Sequence, residues 1–133
     1  MNYHKEVTIL LREKMMGYDT ENIFAQILRK ELPAKVIYED EYALAFPDVN
    51  PKAPVHILVI PKVEAKSFYD FTEKAPPDFI IGFYKAIYNV IKSQNLQDDG
   101  FRILSNHGVN GMQQVPHYHV HIFAGRILGP MIC

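Results

Sequence analysis

The chain has 133 residues, 48% hydrophobic and 22% charged, which suits one globular domain with its own core. Fourteen Lys and Arg balance 15 Asp and Glu, which argues against a general nucleic-acid clamp, and no apolar run approaches the ~20 residues that span a bilayer. The single cysteine, Cys133, offers neither an internal disulfide nor a cysteine metal cluster, so a reducing, cytoplasmic setting is expected.

Residues 3–16 carry Val7, Leu10, Leu11 and Met15 on one side of a short helix that Gly17 stops. Residues 1–20 are read as an N-terminal extension, with the domain spanning 21–133. Asp19 or Thr20 is expected to cap a helix over about 21–31, where Ile23, Ile27 and Leu28 recur at helical spacing, until Leu32-Pro33. Strands are predicted over Val36–Glu39, Ala43–Phe46 and His56–Ile60, the first two joined by a turn at Asp40. Between the second and third, Pro47, Pro51 and Pro54 make a rigid loop.

A longer helix is predicted over 77–94. Asp78, Gly82, Lys85, Asn89 and Lys92 form its polar side, and Ile80, Phe83, Tyr84, Ile87 and Ile91 its apolar side. Strands Phe101–Asn106 and His117–Ala124 follow, separated by a loop with Gly108 and Gly111. Strands clustered with a few helices, without regular βαβ alternation, predict an α+β fold.

Three of the six histidines fall within five residues: His117-Tyr118-His119-Val120-His121. On a strand, alternate side chains share a face, so the three imidazoles are expected on one side and Tyr118, Val120 and Ile122 in the core. Three readings compete. Polar surface accounts for one histidine more easily than for three in alternation. A metal site is limited by geometry: same-face neighbours lie about 6.8 Å apart, the outer pair about 13 Å, whereas zinc holds each nitrogen at ~2.0–2.1 Å. Two of them, with His56 as a third ligand, remain possible donors. Nucleophilic and acid–base catalysis suits a neutral imidazole that titrates near physiological pH, with His119 flanked on both sides. The preceding loop suits an anion: its glycines allow close backbone approach, and Asn106, Gln113 and Gln114 supply neutral donors.

The segment Gln113-Gln114-Val115-Pro116-His117-Tyr118-His119-Val120-His121-Ile122 resembles the signature of the histidine triad (HIT) family. Asn22-Ile23-Phe24, Leu32-Pro33-Ala34, Leu44 to Pro51 and Ala53 to Lys62 resemble its other motifs, so the likeness covers about residues 20–129. The resemblance implies an antiparallel sheet with packed helices, usually in a homodimer. It implies a nucleotide-binding hydrolase acting at the α-phosphate of purine nucleotides through a covalent nucleotidyl-His119, with phosphoramidates as substrates. His121, His117 and His56 would complete the catalytic set. Asn106, Gln113 and Gln114 would hold phosphate oxygens or the leaving group, and Asp48 the ribose. Ile23, Phe24, Phe46, Val49 and Leu58 would wall the base pocket. No cofactor is required, although a polyphosphate substrate can arrive with Mg²⁺.

Departures from the family pattern bear on specificity. Asn22-Ile23-Phe24-Ala25 lacks the cysteine pair that binds zinc in some members. Met112 stands where glycine is frequent, and Gln114 where several branches have serine or threonine, which bears on the preference between phosphoramidates and polyphosphates. The intact His121 speaks against the uridylyltransferase branch. A dinucleoside polyphosphate hydrolase and a nucleotide-dependent binding or scaffold protein are the alternatives.

Overall fold

The computed structural model describes residues 17–132, so the helix expected over 3–16 lies outside the described residues, as does Cys133. The first helix, α1 (Ile23–Leu28), is capped by Asn22 rather than by Asp19 or Thr20. The reason is local: Asn22 Oδ1 accepts from the Ala25 N–H at 2.8 Å, satisfying an otherwise orphaned donor of the first turn. Asp19 Oδ1 is engaged earlier, by the Glu21 N–H.

Five strands follow: β1 (Tyr38–Glu39), β2 (Ala43–Pro47), β3 (Val55–Pro61), β4 (Phe101–Leu104) and β5 (Val120–Ala124). They pair antiparallel throughout in the order β1-β2-β3-β5-β4. With helices α2 (Phe68–Lys74) and α3 (Pro77–Ser93), this is the α+β architecture expected. The strand predicted from His117 begins only at Val120, because the Tyr118 N–H donates to Ala65 O at 2.8 Å, outside the sheet. Helix α2 went unpredicted. It is seven residues long and buries only Phe71, too little for a periodic signal; its cues were Ser67 ahead and Pro76 behind.

Alternation divides the sheet into two faces. Ala43, Ala45, Ile57, Val59, Val120 and Ile122 are buried on one, in a core with Phe83, Ala86, Ile87 and Val90 of α3. Tyr118 joins this core, and its hydroxyl lies 3.1 Å from that of Tyr84. Burying a Val, Ile or Phe side chain stabilises by about 1.5–3 kcal/mol each, so this is the main support of the fold. The buried side of α3 is rotated from the predicted one. Gly82, expected in the polar stripe, lies under the Tyr42 ring, where an added Cβ would fall 2.3 Å from ring carbons. Ile81 and Tyr84 are turned outward, 61% and 40% exposed. The small residues Gly82 and Ala86 allow that close approach, and they set the rotation.

The opposite face is only partly covered. Phe24 of α1 packs on Leu44, Phe46, Leu58 and Ile60. Beyond it runs a cross-strand row paired residue to residue, Phe46–Leu58–His121–Leu104, followed by His56–Phe123–Arg102. The sheet therefore delivers imidazoles from β3 and β5 to one uncovered surface. Among the described residues, no helix is long and apolar enough to cross a membrane.

Candidate active site

A cleft of about 620 Å³ opens on this face, a size typical of small-ligand sites. Its wall includes His56, His119, His121, Ile23, Phe24, Phe46, Asp48, Val49, Leu58, Asn106 and Gln114. His117 and Gln113, both expected here, are not among the residues that line it. Gln113 braces the loop instead. Its Nε2 donates to the carbonyls of Lys66 (2.5 Å) and Val115 (3.0 Å), and its Oε1 accepts from the Gly108 N–H. Asn106 Nδ2 donates to Gly111 O, tying the two ends of the same loop. His117 lies on the expected side, its ring centroid 6.4 Å from that of Phe24, with Tyr118 in the opposite core, but it sits behind the cleft wall, so two of the three imidazoles reach the cleft.

Several lining residues were not singled out from sequence. Leu104 and Phe123 were accessible by alternation, since they share strand faces with Arg102 and His121. Met112, in a left-handed backbone conformation (φ 58°), and Lys52 also line the cleft. The essential contribution of Lys52 is its backbone amide, which no sequence pattern marks.

Hydrogen bonds to backbone groups assign the proton on each ring. His119 Nδ1 lies 2.6 Å from the His117 carbonyl, which can only accept, so Nδ1 carries the hydrogen. The lone pair of a neutral His119 is then on Nε2. His56 Nδ1 accepts from the Lys52 N–H at 3.0 Å, which places the His56 proton on Nε2. That nitrogen is 2.9 Å from His121 Nδ1 and 3.4 Å from Asp48 Oδ2. As His56 donates to it, His121 Nδ1 is bare and His121 Nε2 carries a proton. The site thus pairs a proton-free nitrogen on His119 with a proton donor on His121, their rings 5.0 Å apart.

The family model of the HIT domain matches residues 29–128. The chain belongs to the HIT family. An uncharacterized 13.2 kDa HIT-like protein of Azospirillum brasilense is 50% identical over 115 residues, covering 86% of this chain and 94% of that protein. The purine nucleoside phosphoramidase of Escherichia coli K12 is 34% identical over 113 residues, covering 84% and 93%. Among solved structures, a HIT family hydrolase from Clostridium thermocellum superposes with a TM-score of 0.74 at 34% identity, covering 85% and 97%.

Within this HIT domain, burial is the chief influence on the imidazoles. It lowers the pKa of His119, partly opposed by the hydrogen bond to the His117 carbonyl, and that of His56, partly opposed by Asp48. His121 is held at about 4 by burial, then by the neighbouring His119 and His56. His117 is also held at about 4, first by burial. All four rings are therefore neutral near pH 7, the form a nucleophile needs. Asp48, His56 and His121 bring ligand atoms within 4.8 Å of one another. A cation there would need His56 Nε2 bare, which conflicts with the Lys52 amide held on Nδ1.

The same burial sets the sign of the pH dependence of stability. Unfolded, these imidazoles protonate near ~6.5; folded, His117 and His121 resist protonation down to about 4. Between those values the unfolded chain binds more protons, so stability falls as pH drops through this window and levels off below it. For fully buried His117 alone the full loss is roughly 3 kcal/mol, or about 10 °C in apparent Tm. Thermal denaturation across about pH 7.5 to 4.5 measures it, and the slope should shrink in His117→Asn.

Proposed function

We propose that this HIT-domain protein is a nucleotide-binding hydrolase that cleaves purine nucleoside phosphoramidates through a nucleotidyl-His119 intermediate. The observation that carries this reading is the hydrogen bond from His119 Nδ1 to the His117 carbonyl, which leaves Nε2 as a lone pair at the cleft surface. The phosphoramidase activity for which the E. coli relative is named supports the choice of substrate.

In this scheme Nε2 of His119 attacks the α-phosphorus and the P–N bond breaks. The amine leaves with the bonding pair and takes a proton from His121 Nε2, replaced at Nδ1 from His56. A water entering the cleft returns that proton to the pair, so that neither ring is left as an imidazolate, and its hydroxide attacks phosphorus as the P–His119 bond breaks. Dividing one displacement into two is the usual advantage of covalent catalysis. Asn106, Gln114 and loop amides hold phosphoryl oxygens. Ile23, Phe24, Phe46, Val49 and Leu58 take the base, and Asp48 faces the ribose. Asp48 Oδ1 is held by the Asn50 N–H, which leaves Oδ2 toward the cleft. Gln113 acts as the brace of the phosphate loop.

No step uses a metal, so AMP release from adenosine phosphoramidate should persist in EDTA, with an adenylyl adduct on quenched enzyme. Turnover of diadenosine polyphosphate but not of the phosphoramidate would overturn the assigned leaving group. AMP binding without turnover of either would favour a binding protein.

A homodimer is part of the same proposal. Strand β4 lies at an edge of the sheet and presents Phe101 and Ile103, 42% and 47% exposed, on the α3 side. Such an edge suits pairing with a second copy. Sedimentation should find a dimer that Ile103→Lys dissociates; a monomeric wild type at micromolar concentration would count against it.

A further inference from the structure

His117 is fully buried behind the cleft wall, at the floor of a second, open pocket whose walls include Tyr18, Leu28, Arg29, Lys62 and Glu64. It is nevertheless tied down at three points. Its Nε2 donates to Pro61 O at 3.0 Å, and its main-chain carbonyl accepts the Nδ1 proton of His119 at 2.6 Å. Its Nδ1 lies 2.5 Å from the Tyr18 hydroxyl, with the tyrosine ring edge-on and centroids 5.6 Å apart. Since Nε2 must donate to a carbonyl, Nδ1 of the neutral ring has only a lone pair, and Tyr18 is the donor.

We propose that Tyr18 is a positioning residue of the catalytic centre: its O–H locks the ring of His117, and so holds the His117 carbonyl where it takes the Nδ1 proton of His119. The inference rests on His119 being the nucleophile. Tyr18 does not line the cleft and precedes the residues that match the family model. Without the hydroxyl, Nδ1 loses its donor, and an exchanging water from the open pocket does not hold the ring as a fixed side chain does. The ring then rotates or moves its proton, the Pro61 bond breaks, and the carbonyl beneath His119 shifts. A misplaced nucleophile loses rate far more than affinity.

Tyr18→Phe keeps the ring and removes the donor; Tyr88→Phe, on the exposed side of α3, is the control. Nitrogen-15 NMR of the histidine rings needs no substrate. Wild-type His117 should show protonated Nε2 and a bare, hydrogen-bonded Nδ1. In Tyr18→Phe the His117 and His119 ring resonances should move, and kcat on adenosine phosphoramidate should fall about tenfold with KM within about twofold. A wild-type His117 protonated at Nδ1 would overturn the proposal. So would a Tyr18→Phe protein with unchanged ring resonances and kcat, even if it melts earlier, because that is packing alone. If wild type turns over no phosphoramidate, the activity reading fails separately. The ring resonances then decide: movement at both His117 and His119 supports the relay, and its absence overturns it.

Discussion

His119→Ala should lower turnover by at least about 10⁴-fold, since removing the nucleophile of a covalent mechanism leaves only binding and electrostatic stabilisation. The adenylyl adduct should vanish with it. Nucleotide affinity should change only a few-fold, because the proposed base pocket is the part of the cleft lined by Phe24, Phe46 and Leu58. The comparison uses quenched-enzyme mass spectrometry, single-turnover AMP release and a binding titration on the same two proteins. His119 is buried and meets Phe24 ring-to-edge at 5.0 Å, so truncation also leaves a void. Measuring Tm beside activity separates the two effects. Adduct formation by the variant would place the nucleophile elsewhere.

His121→Ala should have the next largest effect, and one that depends on the leaving group. On an alkylamine phosphoramidate the loss should be about 10²–10⁴-fold, the usual contribution of a positioned proton donor. On a nucleotide ester with a good leaving group, such as nitrophenolate, the loss should be small, since that group departs without a proton. The contrast follows from the tautomer argument: Lys52 N–H to His56, His56 to His121, and hence Nε2–H of His121 toward the cleft. A loss of equal size on both substrates would mean that His121 positions His119 rather than protonating the departing amine.

Much of the framework was legible along the chain. The alternation of Tyr118, Val120 and Ile122 between histidines placed one set in the core, because a strand repeats every two residues. The proline-rich loop, the long helix starting at Pro77 and the first hairpin followed from equally local rules, whereas the antiparallel sheet as a whole was implied by the family resemblance. The base-pocket residues came from resemblance, and Ile23, Phe24, Phe46, Val49 and Leu58 do converge on one cleft.

What escaped has a common cause. Rotation of α3 depended on Tyr42 lying over Gly82, a contact between elements far apart in sequence. Gln113 was read as a free donor, yet its amide is occupied by the carbonyls of Lys66 and Val115. His117 shares the Phe24 side with His119 as strand periodicity predicts, but it is buried behind the cleft wall instead of lining it, where the Tyr118 amide bonds to Ala65 and the strand has not yet begun. Tyr18, assigned to an extension outside the domain, meets a histidine 99 residues away.

Residue type and period by themselves determined the class of fold, the buried face of the last strand and the concentration of imidazoles in one segment. Side-chain chemistry and a two-residue repeat are properties of the chain itself. Only the tertiary structure decided which nitrogen of each imidazole holds a proton, and so which histidine can attack and which can donate. That choice is made by the Lys52 amide, the carbonyls of Pro61 and His117, and the Tyr18 hydroxyl. Three of these are backbone groups of a kind that nearly every residue carries, and only folding determines which of them meets an imidazole.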